Sequence, residues 1–459
     1  MAISKPTERS TIAFIGQPGE SFDFPFSSIA IWTREVARRL ALSFKTIVYA
    51  ADQSEQDGSL VHRRTVTARS PWFSKGLSVF DWLSSHPIFW FRLFNSVFYH
   101  PRLAFRLARD LRKERCDVVH LHNYFQAAPL VRLLNPQIKI ILHMHCEWLT
   151  GLDYDMVARR LSKVDMIVGC SDFITGKIRR RFPQFASRCH TLYNGVDVDR
   201  FTPKAGTQEA HAGKKQLLYV GRLSPEKGLH VLIDAFEKVS LQYPEAELKI
   251  VGRDGSQPME WLSALGDPLV DPKTTELGSF YPGSYVAHLK QRILPRFSSR
   301  ISFTGYIPHS ELAAHYARAD VLVSPSLSEA MPMTPIEAMA AGVAVVATSV
   351  GGTPESVEHG KTGLLVQPGD ASALAEAILA LFDDDGLRQR LGACGRRRVL
   401  EQFTWERIVD RYRTLCALAL HESIPENGEG VSAAVQPAQA DLRSDAMTPQ
   451  LSEGDPAST

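Results

Sequence analysis

Two basic residues lie close together at a point where an apolar run gives way to a predicted helix. The run QLLYV, residues 216–220, is followed by GRLSPEKG, which contains Arg222 and Lys227. Ser224 and Pro225 have the types expected of an N-cap and a first-turn proline, so we expect a helix to begin there. A lysine in the first turn opposes the positive end of the helix dipole unless an anion lies nearby. Ordinary strand-to-helix punctuation explains the glycine, serine and proline but not Lys227, so we interpret this segment as a diphosphate site.

Two carboxylates follow in a second segment, SLSEAMPMTPIEAMAAG, residues 326–342. Thr334, Pro335 and Glu337 have the spacing of an N-cap, a first helical position and a capping-box glutamate. Glu337 therefore has a structural explanation, since it can close its own helix. Glu329 lies in the loop before that helix, where a carboxylate can accept hydrogen bonds from sugar hydroxyls. The helix start also offers backbone N–H groups to phosphate.

The elements that must position these residues alternate between short apolar strands and amphipathic helical stretches. Such alternation is typical of a doubly wound parallel sheet, and here it occurs twice. A polar linker at 201–213 separates two predicted α/β domains, residues 1–200 and 214–403. The predicted strands are residues 11–16, 45–50, 117–121, 138–143, 165–169 and 189–193 in the first domain and 216–220, 247–251, 301–304, 320–324 and 343–348 in the second, with a first-domain helix over 29–42. Residues 256–300 form a long insertion in the second domain, and residues 422–459 have the composition of a disordered tail.

The overall charge hides an asymmetry along the 459-residue chain. Residues 1–200 carry 28 Lys and Arg against 18 Asp and Glu, whereas residues 201–421 carry 23 against 25. An anionic partner for the basic half and an ordinary solvated surface explain this equally well. Aromatic residues and arginines at near-helical spacing in residues 87–113 predict either a membrane-surface element or, preferably, a core helix with a basic outer face.

Several classes of protein are excluded by what the sequence lacks. The six cysteines form no C-x-x-C pair, which favours a reducing compartment over a disulfide framework or a structural zinc site. The first residues lack the features of a signal peptide, and no apolar run reaches the roughly 18 residues of a spanning helix. We therefore expect a cytoplasmic protein. Gly16 is not part of a G-x-G-x-x-G loop, so a dinucleotide-dependent dehydrogenase is not expected.

The motifs together resemble those of the family-4 retaining glycosyltransferases, which have the GT-B fold. G-R-L-x-x-E-K-G, followed by E-x7-E and E-A-M-A-x-G, carries the resemblance. The similarity extends to NGVDVDRF at 194–201, VGRDG at 251–255 and FTGYIP at 303–308, and leaves out the insertion and the tail. It implies two Rossmann-like doubly wound domains facing a cleft, with a helix at about 404–420 that packs back on the first domain.

The resemblance also implies a role for each motif residue. Arg222 and Lys227 hold the donor diphosphate and stabilise charge on the leaving nucleotide. Glu329 binds hydroxyls of the donor sugar, and Glu337 binds those of the ribose. Backbone N–H groups at 331–334 contact sugar and phosphate.

A histidine at the end of a first-domain strand is implied near the reacting carbon. His145 in IILHMHCEW matches this position best, and His143 is the alternative register. A buried structural histidine is the competing explanation. The predicted catalytic residues are His145, Arg222, Lys227 and Glu329; the donor-binding residues are Gly221, Arg222, Lys227, Gly252, Tyr306, Glu329, Met331, Pro332, Met333, Thr334 and Glu337; and the acceptor-side residues are Gly16, Gly19, Ser28 and Asn194.

Two departures from the family pattern affect the acceptor side and the sugar pocket. The segment GQPGESFDFPFSSIAIW replaces the usual Gly-rich loop after the first strand, and Ala330 follows Glu329 where a glycine is usual. The first change alters the loop from which acceptor and phosphate contacts are expected. The second can alter the sugar pocket without removing the phosphate site.

The expected activity is retaining transfer of a hexose-type sugar without a cofactor. No paired Asp cluster is present for a divalent ion, so we predict no metal site. A UDP-sugar is preferred slightly over a GDP-sugar as donor. The expected acceptor is a glycan, a lipid-linked sugar or a small molecule in envelope or exopolysaccharide synthesis, and no nucleic-acid partner is expected. The alternatives are a GT-B nucleotide-sugar epimerase and a non-catalytic scaffold.

Overall fold

The computed structural model describes residues 10–16, 27–50, 60–65, 101–203, 215–255, 259–264, 268–271, 273, 275–281 and 283–421. Gly19, the linker residues 204–213, residues 87–100 and the tail 422–459 therefore lie outside the described residues. The predictions that concern them remain predictions.

Strands from the first half of the chain pair in parallel to form one sheet. They are β1 (Thr11–Ile15), β2 (Lys45–Ala50), β3 (His62–Thr65), β4 (Val118–His122), β5 (Lys139–Met144), β6 (Met166–Gly169) and β7 (Cys189–Thr191). Their order is β3-β2-β1-β4-β5-β6-β7. All five residues of β1, TIAFI, are buried, as expected for a strand covered by helices on both faces. The strand order reverses between β1 and β4, and parallel sheets receive ligands at the carboxyl edge of such a point.

Helices cover both faces of this first sheet. They are α1 (Ser28–Leu40), α2 (Pro101–Lys113), α3 (Ala128–Leu134), α4 (Tyr154–Leu161) and α5 (Asp172–Arg181), with 3₁₀ turns at Phe125–Ala127, Trp148–Thr150 and Pro183–Arg188. Serine caps start two of them, because Ser27 Oγ accepts from Ala30 N at 3.1 Å and Ser171 Oγ accepts from Ile174 N at 3.2 Å. These caps fix where the helices begin beside the carboxyl ends of the strands.

The second half of the chain forms another parallel sheet. Its strands are β8 (Gln216–Val220), β9 (Glu247–Val251), β10 (Ile301–Gly305), β11 (Val321–Ser324), β12 (Ala344–Thr348) and β13 (Leu364–Val366). Their order is β10-β9-β8-β11-β12-β13, which reverses between β8 and β11. The predicted phosphate segment follows β8 and the loop that carries Glu329 follows β11, so both lie at this point.

The remaining helices belong to the second half of the chain. They are α6 (Leu229–Gln242), α7 (Met259–Ala264), α8 (Tyr285–Arg292), α9 (Leu312–Tyr316), α10 (Met333–Ala340), α11 (Thr353–Ser356), α12 (Ala371–Asp383), α13 (Asp385–Gln402) and α14 (Trp405–His421), with 3₁₀ turns at Pro225–Lys227, Glu276–Phe280, Pro295–Arg300 and His309–Glu311. The described part of the predicted insertion 256–300 is thus largely helical. It is tied to α6, where His230 Nδ1 lies 2.7 Å from Tyr285 Oη.

The last described helix, α14, returns to the first sheet. Trp405 and Tyr412 are buried in one apolar cluster with Phe14 of β1 and Trp32 of α1. The Phe14 and Tyr412 ring centroids are 5.8 Å apart. The chain therefore crosses to the second sheet and then comes back to complete the core of the first.

The predicted fold class, two doubly wound α/β units, is confirmed. The strand predictions missed β3 and β13, which lie at the sheet edges. The sequence of β3 is HRRT and offers no apolar run, whereas β13 has only three residues. Edge strands are covered on fewer sides, so the hydrophobic signal that marks central strands is weak there.

Candidate active site

The predicted donor residues converge on one cavity at the carboxyl edge of the second sheet. Its volume is about 390 Å³. Ser28 and Ile31 of α1 reach it from the first domain, so it lies between the two sheets. The predicted residues that line it are Ser28, Gly221, Arg222, Lys227, Gly252, Tyr306, Glu329, Met331, Pro332, Met333, Thr334 and Glu337. Of the other described candidates, Gly16, His145 and Asn194 do not line it.

Arg222 follows the end of β8 and is held by a carboxylate beneath it. Its Nη2 contacts Glu226 Oε1 at 2.5 Å, and its Nε donates to Ser224 Oγ at 3.1 Å. Ser224 Oγ in turn donates to Glu226 Oε1 at 2.6 Å. Burial opposes ionisation of Glu226, but the charges of Arg222 and Lys227 outweigh it and lower the pKa of this carboxyl. Glu226 thus stays ionised and orients Arg222 toward the cavity.

The helix after β8 does not begin where the sequence predicts. Ser224 caps only the 3₁₀ turn Pro225–Lys227, with no side-chain hydrogen bond to it, and α6 starts at Leu229. Gly228 separates the two with φ 67°, and a Cβ there would lie 2.0 Å from the Pro325 carbonyl oxygen. The left-handed backbone of Gly228 breaks the chain between turn and helix, and the close approach of Pro325 requires glycine there.

Lys227 is therefore not in the first turn of an α-helix, and the dipole argument for a nearby anion is wrong. Its Nζ lies 2.6 Å from Glu329 Oε1, which supplies the negative charge. The two residues are far apart in the chain, so this pairing could not be predicted from local patterns. The pair leaves both charged groups on the wall of the cavity.

The loop that carries Glu329 is fixed from two sides. Ser326 Oγ donates to Glu329 Oε1 at 2.8 Å. Gly351 adopts φ 54°, and a Cβ at this residue would lie 1.5 Å from the Glu329 carbonyl oxygen. The loop therefore needs glycine at 351 to bring the Glu329 carboxylate to the cavity.

The predicted capping box around Glu337 is wrong. Helix α10 begins at Met333 after Pro332, without a side-chain cap, so Thr334 lies inside the helix. The Glu337 carboxylate instead contacts Tyr316 Oη and His309 Nε2, each at 2.7 Å. Its side chain is buried among these partners and still borders the cavity. Neither partner is predicted from the sequence, although His309 directly follows the FTGYIP motif.

His145 lies at the carboxyl edge of the first sheet, directly after β5. Its backbone N–H donates to Asn123 Oδ1 at 2.7 Å, and its Nε2 lies 2.9 Å from His122 Nδ1. His143 is fully buried, with Nδ1 at 3.2 Å from His120 Nε2. The strand register therefore puts His143 in the core and His145 at the edge. His120 and His122 were missed, although the i, i+2 spacing in both VHLH and LHMH indicates histidines on one face of neighbouring strands.

The histidine cluster also bears on the prediction that no metal site is present. Nitrogen atoms of His120, His122 and His143 lie within 4.8 Å of one another, a spacing at which three histidines could hold a metal ion. Two of these rings already have other hydrogen-bond partners, since His120 Nδ1 lies 3.0 Å from Tyr412 Oη and His122 Nε2 lies 3.0 Å from Thr33 Oγ1. The cluster therefore has an explanation as a hydrogen-bonded core, and metal independence stays a prediction.

This cluster predicts acid sensitivity of the fold. Burial lowers the pKa of His120, His122 and His143 well below the usual value and that of His145 to about 3. The unfolded chain binds protons below a pH of about 6.5 whereas the folded one does not, so the unfolding free energy falls as the pH drops through this value, by about 1.4 kcal/mol per pH unit for each such histidine. Urea unfolding between pH 5 and pH 8 measures the slope.

Two variants show whether the histidine cluster, and not another titrating group, causes this pH dependence of stability. His143→Gln should make the pH dependence shallower between pH 5 and pH 6.5, whereas His62→Gln, on an exposed histidine of β3, should leave it unchanged. Equal slopes in the two variants would contradict this assignment.

The two domains touch through the loop that borders the cavity and through a helix start. Asn194 Nδ2 donates to the Met331 carbonyl oxygen at 3.1 Å. The Glu355 carboxylate accepts from the backbone N–H groups of Asp172 and Phe173, each at 2.7 Å, at the start of α5. Asn194, predicted on the acceptor side, thus supports the loop that carries the donor residues.

Helix α2 matches the preferred interpretation of residues 87–113 over its described part. Leucines and alanines on one side are buried, and the arginines on the other side are exposed. Among the described residues, no helix is both long enough and apolar enough to cross a bilayer.

Comparison with known proteins gives matches over both halves of the chain. The family model Glycosyltransferase Family 4 matches residues 29–200, and Glycosyl transferases group 1 matches residues 203–398. Glycogen synthase of Mycobacterium tuberculosis strain H37Rv is 29% identical over 313 residues, which cover 65% of this chain and 67% of that protein.

Solved structures share the fold at lower identity. Sucrose-phosphate synthase from Thermosynechococcus elongatus aligns with a TM-score of 0.66 at 23% identity, over 89% of this chain and 100% of that one. Anabaena HepE in complex with UDP and glucose aligns with a TM-score of 0.66 at 17% identity, again over 89% and 100%.

Proposed function

Since the chain belongs to the group 1 glycosyltransferases of family 4, we propose that it transfers a hexose-type sugar from a nucleotide-diphosphate donor with retention of configuration. No metal ion takes part in the proposed reaction. The single observation that carries the proposal is the cavity in which Arg222, Lys227, Glu329 and Glu337 meet.

The chemistry of the transfer requires stabilisation of the leaving nucleoside diphosphate. A guanidinium and an ammonium group on the cavity wall supply positive charge in a partly desolvated site, where such charge acts most strongly. Arg222 is already oriented by Glu226. Lys227 is paired with Glu329, and a bound diphosphate takes the place of that carboxylate at the ammonium group.

The two carboxylates then serve the hydroxyl groups of the donor. Glu329, once separated from Lys227, accepts hydrogen bonds from the transferred sugar. Glu337 accepts from the ribose hydroxyls, and its contacts with His309 and Tyr316 hold it in one rotamer. Developing charge on the sugar carbon has the oxocarbenium character common to glycosyl transfer.

For the donor nucleotide we propose UDP ahead of GDP, with support from the UDP and glucose bound to HepE. The proposed acceptor is a glycan, a lipid-linked sugar or a small molecule in envelope or exopolysaccharide synthesis. We place the enzyme in the cytoplasm, where the basic face of α2 offers a contact for an anionic membrane surface.

A thermal-shift panel of UDP-, GDP- and ADP-sugars tests the donor proposal. A ligand that binds only the native state raises the melting temperature by mass action, with about 2.7 kcal/mol of stabilisation at a hundredfold excess over Kd. We expect the UDP-sugars to give the largest shift.

A variant shows whether the rise in melting temperature comes from binding in the cavity. Glu337→Gln should reduce it, because a ribose contact is weakened, whereas Glu376→Gln, on an exposed face of α12, should not. If no nucleotide sugar shifts the wild-type protein, the donor proposal fails. Exchange of isotope between donor epimers without acceptor would instead identify an epimerase.

A further inference from the structure

A line of hydrogen bonds connects helix α1 with His145. Thr33 Oγ1 donates to the Ile29 carbonyl oxygen at 2.8 Å and also lies 3.0 Å from His122 Nε2. His122 Nδ1 lies 2.9 Å from His145 Nε2. Thr33 and His122 are both buried. The line therefore runs through the protein interior from an interior helix turn to the carboxyl edge of the first sheet.

The proton positions along this line follow from the single hydroxyl proton. Thr33 uses it for the Ile29 carbonyl, so the hydroxyl can only accept from His122. His122 is neutral, because burial lowers its pKa well below the usual value, and so carries its one ring proton on Nε2. His122 Nδ1 is then an acceptor, and His145 must donate to it through Nε2–H.

The same reasoning gives the protonation state of the other ring nitrogen of His145. Its imidazole is also neutral, since burial lowers its pKa to about 3, so Nδ1 carries a lone pair. Among the described residues, this atom is buried and has no hydrogen-bond partner. The opposite tautomer would leave a buried N–H group unpaired, which proteins tolerate less well than an open acceptor.

The open acceptor lies at the carboxyl edge of the first sheet, although His145 does not line the cavity itself. His145 directly follows β5, at the carboxyl edge where parallel sheets of this type bind their ligands. A second line, from Tyr412 through His120 to His143, runs beside the first and ends at His143 Nε2 inside the core. The line from Thr33 is thus the one that reaches the sheet edge.

We propose that Thr33 and His122 are positioning residues that hold His145 in the Nε2–H tautomer, so that Nδ1 accepts a hydrogen bond from a hydroxyl of the transferred sugar. The use of Nδ1 rests on the proposed transferase function. The tautomer itself follows from the hydrogen bonds and does not depend on that function.

Imidazole nitrogen spectra of the full chain labelled with ¹⁵N-histidine test the tautomer directly. The His145 signals are assigned by their loss in His145→Gln. In the wild-type protein we expect a protonated Nε2 and an unprotonated Nδ1 on His145. A protonated Nδ1 in the wild-type protein would overturn the proposal, and this result requires no variant of Thr33 or His122.

A matched pair of variants tests the role of Thr33. Thr33→Val keeps the shape of the side chain but removes the acceptor for His122, so a mixture of His145 tautomers should appear. Thr33→Ser keeps the hydroxyl and should retain the wild-type spectrum. An unchanged spectrum in Thr33→Val would show that the hydroxyl does not set the tautomer.

Kinetic measurements distinguish the tautomer of His145 from the use of its Nδ1 in catalysis. The kcat of Thr33→Val should fall by about tenfold, the effect of one hydrogen bond, while KM for the donor stays within about twofold. Thr33→Ser should restore kcat. A shifted tautomer in Thr33→Val with wild-type kcat would overturn the catalytic use of Nδ1. If the wild-type protein shows no sugar transfer at all, the proposed function is overturned, and the spectra still decide the tautomer.

Discussion

Lys227→Ala is expected to lower turnover by a factor of about 100 to 1,000, the range found when one charge-stabilising group is removed from an active site. The reason is that the ammonium group neutralises charge on the leaving diphosphate as the bond to the sugar breaks. Initial rates of nucleoside-diphosphate release at saturating donor measure the effect. Circular dichroism and melting temperature should show an intact fold, because Lys227 lies on the cavity wall and not in the core.

Lys238→Ala provides a matched control in the same domain. Lys238 lies on α6 and contacts Ser372, away from the cavity. It should keep wild-type rates. Wild-type rates in Lys227→Ala would contradict the role assigned to the 3₁₀ turn after β8.

Glu329→Gln is expected to lower kcat/KM by about 10- to 100-fold, because a hydrogen bond to a charged group contributes roughly 1.5–3 kcal/mol. The amide keeps the shape of the side chain but accepts less strongly from the sugar hydroxyls. Steady-state kinetics with varied donor measure the change.

The ion pair with Lys227 gives this prediction a second readout. The two residues are in contact, so their effects should not add. If Glu329 acted only by holding Lys227, Glu329→Gln would have no further effect in the Lys227→Ala background. A further loss in the double variant supports a direct contact with the sugar, and no further loss would contradict it.

The strands and the order of the motifs could be predicted from sequence because their signals are local. Apolar runs mark the central strands, and Arg222 and Glu329 lie in the segments that follow β8 and β11. A doubly wound sheet brings the ends of such strands together, so the cleft follows from the pattern. The helices in the described part of the insertion could not be predicted, because they are short and separated by segments with Pro and Gly.

The partners of the charged residues could not be predicted, because the contacts connect distant parts of the chain. The pair between Lys227 and Glu329 spans 102 positions. Helix α6 starts after Gly228 in a left-handed conformation, and the Pro325 carbonyl on another loop leaves no room for a side chain at Gly228. Local capping rules therefore placed this helix start too early.

The Glu337 capping box failed for a similar reason. Its residue types fit the local rule, but Pro332 in an extended conformation lets α10 begin at Met333. The carboxylate is then free to meet Tyr316, which comes from α9. For a residue that lines a cleft, tertiary contacts can override the role that local capping rules predict, and these contacts cannot be read from the sequence.

The most direct test of the account is a crystal structure of the full chain with the nucleotide sugar that gives the largest thermal shift. We predict that the diphosphate lies between Arg222 and Lys227, within hydrogen-bond distance of both, and that the contact between Lys227 and Glu329 is broken. A donor bound elsewhere, or bound in the cavity with that ion pair intact, would contradict it.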